Sequence, residues 1–142
     1  MRRTSVRRPA TRHAWRAEAL RYYRNAENIL KRLKKEHGRY SDPKYVSMAS
    51  GTGYLAALKA IEAYLHLSGK MSDGKPKFIE DYRALVKKHI PHNGKLMAAL
   101  DTVYDDLHLG GYYRENMDVN VIKSGMESCK KIIDLLLPYS ES

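Results

Sequence analysis

The 142-residue chain has one cysteine, one tryptophan and one phenylalanine. The lone Cys129 cannot form an internal disulfide, and Cys and His do not recur at zinc-ligand spacing, so neither a disulfide scaffold nor a metal site is expected. No apolar run reaches the roughly 18 residues of a membrane-spanning helix. The first residues lack the apolar stretch of a secretory signal. Strictly alternating apolar and polar runs are missing, so no sheet is predicted. No Gly-x-Ser-x-Gly setting points to hydrolase chemistry, and no internal repeat is present. These absences leave a single domain without a membrane span or cofactor, and a single cysteine fits a cytoplasmic location.

Charge is plentiful, and it is unevenly placed. The net charge is +10. Residues 1–39 carry 13 Lys+Arg against three Glu, whereas residues 40–142 carry 13 basic and 13 acidic residues. The whole excess therefore belongs to the first third of the chain. Such a segment attracts nucleic acid, anionic lipid or an acidic protein, or serves only as a solubilising tail. Residues 1–12 include Arg2, Arg3, Arg7, Arg8 and Arg12 and almost no large apolar group. Too little apolar surface offsets their ordering entropy, so a disordered basic arm is expected, followed by one domain over residues 13–138. The arm's composition is also that of an organellar presequence.

From there, helical periodicity dominates. Trp15, Ala19, Tyr22, Ala26, Ile29 and Leu33 step by four and three, predicting a helix over about residues 13–36, with Arg16 and its neighbours on a basic outer face. Tyr45 to Leu67 is the most apolar long stretch. Tyr54, Leu58, Ile61 and Leu65 mark its buried face, widened by Leu55, Ala57, Ala60 and Tyr64. A third helix is predicted over about residues 76–90 and a fourth from about residue 95, ended by Gly110-Gly111. A polar connector then leads to a last helix over about residues 118–137, with Asp118 as N-cap and Pro138 as stop. The fold expected is all-α, an up-and-down bundle of four or five helices.

Three local patterns invite chemistry. Ser50-Gly51-Thr52-Gly53 resembles part of a phosphate loop but lacks the Lys-Ser/Thr ending and a preceding strand, so close helix packing is expected instead. Asp101, Asp105 and Asp106 could share a cation, yet read as a solvated acidic face, since di-metal bundles draw ligands from several helices. Eleven tyrosines accompany the single phenylalanine, and Tyr112, Tyr113 and Arg114 form the best exposed contact candidate, able to stack on bases or anchor a protein.

The segments LRYYRNAENILKRL, GYLAALKAIEAYL and GGYYRENMDVNVIKSGMESCKKIIDLL, over about residues 13–137, resemble the HEPN domain (higher eukaryotes and prokaryotes nucleotide-binding). The resemblance implies a homodimer associated with RNA or nucleotides, often in toxin–antitoxin systems. Active members are metal-independent ribonucleases using an Arg, four to six residues and a His near the last helix. Here that order is inverted, since His108 precedes Arg114. The correctly ordered pair, Arg83 and His89, lies in the third helix instead. The function expected is therefore non-enzymatic: a HEPN-like module binding RNA, a nucleotide or a protein partner. Endoribonuclease action through Arg83 and His89, and a purely protein-interacting bundle, are the alternatives.

Overall fold

A computed structural model describes residues 11–71 and 76–138. Arg2, Arg3, Arg7 and Arg8, and nearly all of the expected disordered arm, lie outside those residues. The last two arm residues are helical start signals instead. Thr11 Oγ1 accepts from the Ala14 N–H at 3.0 Å, and helix α1 then runs over Arg12–Lys31. A threonine hydroxyl here satisfies one of the free N–H groups of the first turn.

α1 is shorter than its periodicity predicts. After Lys31 the chain turns into a two-stranded ribbon, β1 (Lys35–Glu36) antiparallel to β2 (Arg39–Tyr40). His37 and Gly38 between them have φ of 53° and 76°. Two successive left-handed residues make the turn whose twist matches paired strands. The expectation of no sheet is thus corrected; strands of two residues are too short to show alternation. The ribbon is fixed to the chain just before the last helix by Tyr40 N–H to Met117 O (2.8 Å) and Val119 N–H to Gly38 O (2.9 Å).

α2 (Pro43–Leu67) begins with Asp42 Oδ1 accepting from the Lys44 N–H and Pro43 in the first turn. It packs against α1 and every later helix, and so forms the centre of the bundle. Leu58, Ile61 and Leu65 are buried as expected. Leu55, expected to widen that face, is 48% exposed instead. α3 (Ile79–His89) starts three residues later than predicted, because Asp81 Oδ2 caps it by accepting from the Lys77 and Phe78 N–H groups. α4 (Gly94–Val103) does not end at Gly110-Gly111. It continues as a π-helical segment over Tyr104–Tyr113, so the first two residues of the expected polar connector, Tyr112 and Tyr113, are helical. α5 (Val119–Leu136) is capped by Asp118 as predicted, through the Asn120 and Val121 N–H groups. Among the described residues the architecture is an all-α bundle of five helices with one short ribbon. No described helix is long and apolar enough to cross a membrane.

Two buried polar groups give direct tests of this core. Cys129 is fully buried and donates its S–H to Gly53 O at 3.1 Å. Burial pushes its thiol up to about 12. The native protein is therefore expected to be inert to a thiol-reactive dye and to react with one equivalent only after denaturation. Tyr82 donates its hydroxyl to the buried Glu62 Oε2 at 2.5 Å, joining α3 to α2. Tyr82→Phe takes this donor from a buried acceptor and is expected to cost about 1–3 kcal/mol in urea unfolding.

Candidate functional site

The small residues of α2 bring the π segment into close contact. A Cβ placed on Gly53 would lie 2.8 Å from Met126 Sδ and 3.2 Å from Leu107 Cδ1. One placed on Gly51 would lie 3.1 Å from the Tyr112 ring. Gly111 faces Ser50 across the same crossing, and Ser47 Oγ donates to Tyr112 O at 3.1 Å. The Ser-Gly-Thr-Gly stretch is thus a packing surface inside a helix, as the missing Lys and strand suggested.

With its back held there, the π segment turns aromatic rings outward. Tyr104, His108 and Tyr112 follow one another at steps of four. His108 stacks on Tyr104 at 5.2 Å, on Tyr112 at 5.9 Å and on Tyr54 of α2 at 4.5 Å, while Tyr113 meets it edge-on at 5.6 Å. π-helical turns are rare and often accompany functional sites. Met48, Gly51, Thr52, Tyr54, Leu55, His108 and Tyr112 enclose a shallow groove of about 370 Å³. Among the described residues, no Lys, Arg, Asp or Glu lines it. Burial lowers the His108 pKa below the ordinary imidazole value, so this ring is neutral at neutral pH. Past Tyr54 the surface continues to Phe78, which is 69% exposed.

The sequence candidates fall into three places. Tyr112 and Tyr113 are exposed as expected, but sit on the π segment; Arg114 caps it, donating its N–H to Leu109 O at 3.0 Å. Arg83 is held by ion pairs to Asp101 (2.9 Å) and Glu80 (2.8 Å), and its guanidinium lies over the Tyr104 ring at 5.2 Å. His89 is half-buried at the end of the same helix. Sequence spacing paired Arg83 with His89 and His108 with Arg114; the fold instead brings Arg83 and His108 to a shared ring, Tyr104. Asp101 is engaged by Arg83, Asp105 is exposed, and Asp106 is half-buried, with burial raising its carboxyl pKa. Among the described residues no cluster of His, Cys, Asp and Glu could hold a metal ion.

Charge gathers elsewhere. Arg12 is exposed in the first turn of α1, whereas Arg16 binds Asp134 at 3.0 Å and donates to Leu137 O, clamping α1 to the end of α5. Beyond them Lys31, Arg32, Lys34, Lys35 and Arg39 are exposed along the end of α1 and the ribbon, with Lys44 nearby. The ribbon was not visible in the periodicity, so its contribution to this basic edge was missed.

Fold and surface together define an all-α bundle with a basic edge and a separate, uncharged aromatic groove. A family model described as a domain of unknown function (DUF5618) matches residues 15–137, and the chain belongs to that family. A solved structure of a protein of unknown function from Dyadobacter fermentans is 33% identical to it. The two superpose with a TM-score of 0.77 over 89% of this chain and 97% of the other. Comparison with curated proteins gives no match.

Proposed function

We propose that this chain is a non-catalytic, HEPN-like module that binds RNA through phosphate contacts along α1 and the ribbon. The observation that carries this reading is the concentration of cations there. Residues 11–40 hold nine Lys+Arg against three Glu, while residues 76–138 hold nine basic and nine acidic residues. Arg2, Arg3, Arg7 and Arg8 precede this edge in the chain and would add to the attraction. The aromatic surface with Tyr112, Tyr113 and Arg114 offers stacking faces for unpaired bases. An endoribonuclease built on Arg83 and His89 is the weaker reading, because two carboxylates already neutralise Arg83.

Fluorescence anisotropy of a labelled single-stranded RNA across a salt series tests the proposal. Each phosphate contact contributes about 0.7 to the slope of log affinity against log salt. The triple change Arg32→Gln, Lys34→Gln and Lys35→Gln is expected to reduce that slope by about 2. The RNA is expected to stay intact throughout. Cleavage lost on His89→Ala would favour the enzyme. Absence of salt-sensitive binding by the full chain would sink the RNA reading and leave a protein-interaction bundle.

A further inference from the structure

Between the ribbon, α1 and α5 lies a cleft of about 410 Å³. The two helices run antiparallel: Arg16 at the start of α1 holds the end of α5, while the end of α1 and the start of α5 meet at the ribbon. Each helix gives the cleft one carboxylate and, four residues away on the side nearer the ribbon, one ammonium. These are Glu27 and Lys31 on α1, and Glu127 and Lys123 on α5. Residues four apart share a helix face and stand about one 5.4 Å turn from each other. Lys35 of β1 adds a third ammonium at the ribbon end. At the other end lies Tyr23, whose hydroxyl is pushed up to about 12 by burial first and then by nearby negative charge, that of Glu27 and Glu127 included. The cleft is therefore bipolar. Little of this charge is paired within the protein. Lys31 and Glu27 approach only to 4.0 Å, and among the described residues Lys35, Lys123 and Glu127 make no ion pair. Leu30 and Met126, both buried, and Val119 give the cleft an apolar floor.

We propose that this cleft binds a free α-amino acid with a large apolar side chain. Lys31, Lys35 and Lys123 hold its carboxylate, Glu27 and Glu127 hold its ammonium, and its side chain lies on the apolar floor. The distribution of charge selects this class. A phosphate or a dicarboxylate brings no cation to the two glutamates. A simple amine leaves three ammonium groups unmatched. An apolar molecule strips water from both ends and replaces none of its hydrogen bonds. A zwitterion answers both ends at once with charge-assisted hydrogen bonds. The volume lies within the range of small-molecule sites. Occupation also fastens the ribbon. Lys35 and the buried Tyr40 reach the cleft from the two strands, and Val119 lines it while its N–H holds Gly38 O. A ligand that needs the ribbon in place binds the closed form and stabilises it by mass action. The proposal stands apart from RNA binding, because Lys123 and Glu127 belong to α5 and not to the cationic edge, and their effect is measured with no RNA present.

Isothermal titration calorimetry and thermal unfolding of the full chain with L-leucine and L-phenylalanine give the first measurement. Glycine, N-acetyl-leucine and leucinamide are the controls, lacking the side chain, the ammonium and the carboxylate in turn. Leucine or phenylalanine is expected to bind, and each control to bind at least about tenfold more weakly, as for loss of a charge-assisted hydrogen bond or of the apolar contact. Glu127→Gln and Lys123→Gln are each expected to weaken binding by about tenfold, with an unchanged far-ultraviolet circular dichroism spectrum. Both residues are exposed, so neither change disturbs the core. Lys131→Gln, on α5 but outside the cleft, is expected to leave binding unchanged. With ligand at about ten times its Kd, the Tyr40 and Val119 amides are expected to exchange about tenfold more slowly. Neither heat nor a rise in melting temperature with either amino acid at millimolar concentration would overturn the proposal. So would controls that bind as well as leucine, or binding untouched by both Glu127→Gln and Lys123→Gln.

Discussion

Gly111→Ala is expected to lower the melting temperature by about 10 °C, through an overpacking cost near 3 kcal/mol. The added Cβ would lie 1.9 Å from Ser50 Oγ, 2.5 Å from Ser50 Cβ and 2.9 Å from Ile122 Cδ1. Rotating the serine hydroxyl relieves only the first contact, so α2 and the π segment must move apart. Gly94→Ala supplies the control, since nothing lies within 4 Å of a Cβ there and its change should be small. Adding Ser50→Gly to Gly111→Ala removes two of the three clashing atoms and is expected to recover more than about 1 kcal/mol as coupling between contacting residues. Equal melting temperatures for Gly111→Ala and the native chain would show that the crossing is looser than described.

Leu107→Ala is expected to be costlier still, about 4 kcal/mol in urea unfolding. Leu107 is wholly buried. Its two methyl groups fill the space over Gly53 of α2 and Gly125 of α5, approaching the Cβ positions those glycines lack at 3.2 Å and 2.7 Å. The two glycines have no side chain that could move into the void. A loss of that size would consume much of the 5–15 kcal/mol typical of a domain. The near-ultraviolet signal of the neighbouring tyrosine stack is expected to weaken with it. Leu55→Ala, at an exposed position of α2, should change stability by less than about 0.5 kcal/mol. Similar losses for the two leucines would contradict the burial described.

The helices were legible because a buried face imposes its period on the sequence. Trp15, Ala19 and Ala26 on α1, and Leu58, Ile61 and Leu65 on α2, are buried where their spacing placed them. What escaped was whatever breaks or doubles that period. The ribbon rests on a His37-Gly38 turn and four strand residues, too few to repeat. Gly110-Gly111 looked like a terminator, because glycine ends helices more often than it lets them touch. Leu55 was misplaced because α2 is apolar on both sides, and periodicity cannot say which side the neighbours cover. The exposed tyrosines at 112 and 113 were read correctly, but their partner His108 was set against Arg114 instead, because the stop expected at Gly110-Gly111 removed Tyr112 from the helical face that steps of four share with Tyr104 and His108.

The backbone bonds from Tyr40 to Met117 and from Val119 to Gly38 join opposite halves of the chain. Closing so large a loop is entropically costly before any contact rewards it, whereas α1 and α2 are neighbours in sequence. The helical hairpin is therefore expected to assemble early and the ribbon to seal last. By the same ordering it should be among the first parts to open, with the Tyr40 and Val119 amides exchanging faster than those at the centre of α2. The cationic edge would then be the surface that loosens while the rest of the protein remains folded.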